Sequence, residues 1–79
     1  MLIQMKEIKT KTYPLDKGFF LDIVTRCKKY KAWLYHKDYG NKYLMFEMLK
    51  EQQTYEQFLE IVELNAPDYI DYYKRNFME

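Results

Sequence analysis

Residues 30–49 constrain the fold more than any other stretch of the chain. Two runs of aromatic and apolar residues flank Asp38-Tyr39-Gly40-Asn41. Such runs, broken by a short polar segment containing glycine, predict a β-hairpin, with Gly40 supplying the positive φ of a tight turn. If Asp38 faces Asn41, Tyr35 faces Leu44 and Trp33 faces Phe46. That face, extended by Met48, is the expected core side because cross-strand pairs share a face. The other face carries Ala32, Leu34 and His36 opposite Glu47, Met45 and Tyr43 and is mixed; it looks outward if the helices cover only the Trp33 face, and a helix lying over it is the competing reading.

The flanking segments are read around this hairpin. Residues 2–13 predict a strand that Pro14 ends, with a phase slip near Lys6-Glu7 that suggests a bulge or a frayed start. Residues 16–29 predict a helix. Leu15, Phe19, Phe20, Ile23, Val24 and Cys27 recur at helical spacing, and Asp16 can cap the start. Phe19 to Thr25 is also rich in β-formers, so a strand is the competing reading there. Residues 54–65 predict a helix opened by a Thr54/Gln57 capping box and ended by Asn65 and Pro67. A last helix is predicted from Ala66 to Phe77, with Pro67 in its first turn. The expected fold is α+β: one domain over residues 1–79, in the order β-α-β-β-α-α. A three-stranded antiparallel sheet would carry its helices on one face.

Composition narrows the chemistry. The 79 residues are 48% hydrophobic and 19% aromatic, which suits a small domain that buries much area per side chain. Net charge is +1, so no global field steers a nucleic acid. The single cysteine, Cys27, can form no internal disulfide, which points to a reducing, cytoplasmic setting. No signal-peptide pattern opens the chain, and no apolar run reaches the ~18 residues of a membrane helix, so no membrane partner is expected.

Catalysis is not expected either. Nucleophilic chemistry needs a nucleophile, a base and an orienting group. Cys27 and His36 are the only thiol and imidazole, and Cys27 lies on the apolar stripe of the predicted helix. One Cys and one His cannot close a zinc site, and no acidic loop has calcium-binding spacing. Glu51, Glu56, Glu60 and Glu63 read as a solvated face. No metal or cofactor is expected.

Binding surfaces remain. The outer hairpin face and turn, Leu34, His36, Tyr39, Tyr43 and Met45, have the Tyr/Met character of protein interfaces. Tyr69 and Tyr72 join them, because a small core cannot bury tyrosines on several sides of one helix. The expected function is a non-enzymatic protein-binding module with another protein as partner. The alternative is a nucleic-acid module in which Lys28, Lys29, Tyr30 and Lys31 hold phosphates and stack bases. The competing reading of those lysines is a helix C-terminus. A homo-oligomer or homodimer, joined through an edge strand or through Tyr69 and Tyr72, is the third expectation.

Phe, Tyr, Met, Ile, Asn and Lys make up 38 of the 79 residues, a bias toward AT-rich codons. In size and style the chain resembles accessory proteins of phages and other mobile elements. Many of these inhibit a host protein, anti-CRISPR proteins among them. The likeness rests on no shared motif.

Overall fold

The structure is a computed structural model and describes residues 9–78. Four strands, β1 (Lys9–Pro14), β2 (Phe19–Thr25), β3 (Lys29–His36) and β4 (Lys42–Leu49), form an antiparallel sheet in the order β1-β2-β3-β4. One helix, α1 (Tyr55–Tyr73), follows and runs into a π-helical turn, Lys74–Met78. The α+β class and antiparallel sheet match the sequence reading. Among the described residues the sheet has four strands rather than three, and the order is β-β-β-β-α. The reading of residues 2–8 as strand, with its slip at Lys6-Glu7, lies outside the described residues.

The extra strand is the segment expected as a helix. Phe19, Leu21 and Ile23 are buried toward α1, while Phe20, Asp22 and Val24 point to the other face. The same apolar residues satisfy a period of 2 and a period near 3.6, so spacing alone does not separate the two. Pairing separates them: β2 is bonded on one side to β1, with Thr12 opposite Asp22, and on the other to β3, with Asp22 opposite Trp33. A helix would leave β1 without a partner and β3 bonded to β4 alone. Only a single 3-10 turn, Asp16–Gly18, remains of the predicted helix, and Cys27 is exposed in the β2–β3 turn rather than on an apolar stripe.

The hairpin is present, but its register and its buried face differ from the expectation. Tyr35 pairs with Lys42 and Trp33 with Leu44, and a bulge places Ala32 opposite Phe46 and leaves Met45 without a partner in β3. The loop is longer than a tight turn, and Gly40 does not need a positive φ. Leu34, Ala32, His36 and Met45 lie under α1, so the face expected outward is the core, and the Trp33–Tyr35 face is the one that α1 leaves uncovered. The reason lies in β2. Its Phe19, Leu21 and Ile23 pair with His36, Leu34 and Ala32, which fixes the side of β3 that completes the apolar layer.

α1 also departs from the reading in one respect. The two predicted helices are one, continuous through Pro67. The capping box forms as expected: Gln57 N–H donates to Thr54 Oγ1 at 3.1 Å, and Thr54 N–H donates to Gln57 Oε1 at 2.9 Å. Phe58, Val62, Ala66 and Tyr73 form a buried stripe that spans the proline. Pro67 and Glu63 are both exposed, so the residue whose carbonyl loses its donor lies on the solvent side of the helix. Packing of the stripe on the sheet outweighs the local penalty. The Tyr73 hydroxyl donates to the Asn41 carbonyl at 2.6 Å, pinning the helix end to the hairpin loop.

Candidate functional site

Strand register defines the face that α1 leaves open. Three rungs cross all four strands: Pro14-Phe20-Tyr35-Lys42, Thr12-Asp22-Trp33-Leu44 and Thr10-Val24-Lys31-Glu47. The exposed face of an antiparallel sheet is ordinarily polar. Here its centre holds Phe20, Val24, Trp33, Tyr35 and Leu44. Phe20 and Tyr35 stack with centroids 5.6 Å apart, and the Lys42 ammonium sits 4.8 Å over the Tyr35 ring.

Asp22 lies in the middle of this face and is only 7% exposed. Thr12 Oγ1 donates to its Oδ1 at 2.7 Å, and Lys42 Nζ lies 3.1 Å from its Oδ2. The Tyr35 hydroxyl approaches Oδ1 at 3.4 Å. Burial, with the Asp22 charge second, pushes the Tyr35 phenol above its ordinary pKa of 10.0. Glu47 takes the other two cations of the face, Lys29 at 3.2 Å and Lys31 at 3.7 Å. The Lys29 hydrogen bond, before the two lysine charges, holds the Glu47 carboxyl below its ordinary value. The charges of the face are thus paired within it, around an apolar and aromatic centre. Sequence reasoning missed Phe20, Asp22, Lys42 and Leu44 because it placed β2 in a helix. The richness of Phe19–Thr25 in β-forming residues, the competing strand reading, was the signal that could have found them.

A second surface gathers three residues expected at a partner surface. Tyr43 of β4 stands 5.9 Å from Tyr69 and 5.8 Å from Tyr72, centroid to centroid. With Asn65 and Asp68 they line a cavity of about 360 Å³. Burial, then the Tyr72 and Tyr69 phenols, raises the pKa of Tyr43. The other expected members do not join them. Leu34, His36 and Met45 are core residues, 0%, 8% and 6% exposed, and Tyr39 is exposed in the hairpin loop against His36.

The lysine patch divides. Lys29 and Lys31 stand on the open face and Lys28 in the β2–β3 turn, whereas Tyr30 points to the opposite side and packs on Phe58 at 5.4 Å and Tyr55 at 5.8 Å. Strand neighbours face opposite ways, so Tyr30 cannot stack a base beside those lysines. Arg26 takes its place in the cluster: Arg26, Cys27, Lys28, Lys29 and Lys31 line a shallow cavity of about 230 Å³.

Cys27 and His36 lie at opposite ends of β3, roughly 25 Å apart at strand rise. Asp38 N–H donates to His36 Nδ1 at 3.1 Å, and Nε2 lies 3.0 Å from the Lys17 carbonyl, which puts the ring proton on Nε2. Both ring nitrogens are committed to backbone. Among the described residues, no group of three or more His, Cys, Asp or Glu side chains is placed to hold a metal, and no helix is long and apolar enough to cross a membrane. Comparison with protein-family models, with curated proteins and with solved structures finds no match.

Proposed function

We propose that the chain is a non-enzymatic protein-binding module that docks another protein on the open sheet face. One observation carries this reading: the face left uncovered by α1 has an apolar and aromatic centre, Phe20, Val24, Trp33 and Leu44, within a rim of internally paired charges. Apolar centres with polar, hydrogen-bonded rims are the anatomy of protein interfaces. Trp33 and Tyr35 are the residue types that anchor them. Asp22 supports the reading as a fixed point, since its partners come from β1, β3 and β4 and hold the face rigid before a partner arrives. An inhibitory role toward a host protein, of the kind found among mobile-element accessory proteins, draws on size and composition alone.

A second reading is favoured by charge segregation. Residues 9–54 carry ten Lys or Arg against five Asp or Glu, while α1 carries five acids and no base. The near-neutral total hides a basic sheet side whose densest point is the Arg26–Lys31 turn. A nucleic acid would be held there by its phosphates, beside Trp33.

Affinity capture from cells of the source lineage, run with and without nuclease, separates the two readings. The baits are the wild type, Leu44→Asp on the open face, and Arg26→Gln/Lys28→Gln in the turn. Leu44 is 37% exposed, so its substitution leaves the core intact. The proposal expects one protein, retained after nuclease, lost with Leu44→Asp and kept by the turn variant. Capture that survives Leu44→Asp removes the open face from consideration. Capture that disappears with nuclease and with the turn variant transfers the function to nucleic acid. A doubled mass of the pure protein in solution, abolished by Leu44→Asp, makes a second copy the occupant.

A further inference from the structure

We propose that the cavity between β4 and α1 binds an organic cation of the alkylated ammonium type. This site lies on the helix side of the sheet and does not rest on the reading of the open face. Three features of its walls point to this ligand. The first is aromatic: Tyr43, Tyr69 and Tyr72 meet there, with Tyr69 tilted 40° and Tyr72 86° from the plane of Tyr43. Rings set at such angles form a corner, which fits a rounded ammonium head better than the flat guanidinium that prefers to lie parallel to a ring. The second is charge. Asp68 lines the cavity, no lysine or arginine does, and Asp68 makes no ion pair among the described residues. Glu56, Glu60, Glu63 and Asp71 share its helix, and the bases Lys74 and Arg75 follow only in the turn beyond it, so the field along α1 ahead of that turn is negative. The third is room. The site is a groove open to solvent, and its roughly 360 Å³ accommodates the head of an alkylated ammonium with part of its chain.

The local sequence explains the arrangement. Asn65, Asp68, Tyr69 and Tyr72 are spaced at i, i+3, i+4 and i+7 and so form one stripe of α1 beside its buried one. That stripe faces the edge strand, where Tyr43 projects toward the helix side. The Asn65 amide nitrogen is spent on the Ile61 carbonyl at 2.8 Å, which leaves its oxygen as an acceptor. The raised Tyr43 phenol keeps its proton at neutral pH, so the ring stays an uncharged, hydrogen-bonding wall. Such chemistry occurs in a free choline-like molecule and in a methylated lysine of another protein, and the test below tells the two apart.

The test is a titration of the full chain with tetramethylammonium chloride, followed by amide chemical shifts, with sodium chloride at equal ionic strength as control. Saturable shifts confined to residues 43, 65, 68, 69 and 72 are expected. Tyr72 is 48% exposed, so Tyr72→Ala folds and should weaken binding about 5-fold or more, while Tyr72→Phe keeps the ring and should stay within about 2-fold. Asp68→Asn should weaken it severalfold, and increasingly so at low salt. Sodium chloride reproducing the same shifts, or Tyr72→Ala binding as the wild type does, overturns the proposal. So does guanidinium binding more tightly than tetramethylammonium. Choline and a trimethyllysine peptide then identify the source. A peptide that binds more tightly than choline assigns a protein side chain, equal binding assigns a small molecule, and both support the site. An unmethylated lysine peptide binding as well as the methylated one refutes the preference for alkylated ammonium.

Discussion

A Cβ added at Gly18 would come within 2.8 Å of His36 Nε2, on a backbone already at φ +86°. Both facts forbid a side chain there, and a left-handed L-residue alone costs roughly 1–2 kcal/mol. Gly18→Ala should therefore lower stability by about 2 kcal/mol or more in urea denaturation. The imidazole NMR signals of His36 should shift in the same variant, as the bond from Nε2 to the Lys17 carbonyl breaks. Gly40 is the control. It has open space around it and no positive φ, so Gly40→Ala should change stability by no more than about 0.5 kcal/mol. Lys17 holds the same left-handed region at φ 61° without being glycine, and Lys17→Asn should be neutral or stabilising. The sequence suggested the reverse assignment, with Gly40 as the turn residue and position 18 inside the helix predicted over residues 16–29. The positive φ belongs to the turn that lets β2 return along β1. That turn becomes visible only when residues 19–25 are known to be a strand.

At the scale of elements, α1 shows tertiary packing overruling a local signal. Proline in a helix interior is about 3 kcal/mol less favourable than alanine. Pro67 is exposed and its substitution touches no core residue. Pro67→Ala should raise stability by roughly 1–3 kcal/mol with an unchanged fold, which thermal unfolding followed by circular dichroism checks. A lower midpoint would mean that the proline sets a bend the packing requires. The capping box, by contrast, was legible in Thr54 and Gln57 because both bonds close within four residues. Thr54→Ala should cost about 1 kcal/mol. β2 was not legible for the opposite reason. Its identity depends on β1 and β3, which lie outside any local window, and its apolar spacing satisfies both periods.

At the scale of the whole molecule, tyrosines tie the layers together and set an alkaline limit. The Tyr13 and Tyr55 hydroxyls share a hydrogen bond of 2.9 Å between β1 and α1. Burial, followed by the Tyr13 hydrogen bond, raises Tyr55 well above its ordinary pKa of 10.0. Tyr35 and Tyr43 move in the same direction, with burial as the main cause. Above pH 10 the unfolded chain releases these protons while the folded chain keeps them. Stability from this source is complete below pH 10 and falls as pH rises above it. Urea midpoints should decline from about pH 10 upward, and Tyr55→Phe should flatten the decline. An identical alkaline slope in the two proteins would show that Tyr55 does not contribute. Charge segregation is likewise a property of the assembled molecule. The near-neutral chain combines a basic sheet side with an acidic helix whose charges offset each other, so binding at the Arg26–Lys31 turn should weaken steeply with salt if the ligand is a nucleic acid.

The sequence by itself determined the parts whose causes are local. These are the hairpin with its two β-forming runs, the start of α1 at its capping box, the end of β1 at Pro14, and an α+β class built from them. It also supplied three of the five residues around the tyrosine cavity: Tyr69 and Tyr72, because tyrosines on several sides of one helix cannot all enter a small core, and Tyr43, from the hairpin face expected to look outward. Tertiary structure decided what depends on partners distant in the chain. Pairing on both sides made Phe19–Thr25 a strand, and that strand chose which face of β3 is buried. The same choice sent Leu34, His36 and Met45 into the core and left Trp33 and Tyr35 on the surface. Burial of one continuous apolar stripe carried α1 through Pro67. In each case the local free energies of the alternatives differ by only a few kcal/mol, and the area buried between layers outweighs them.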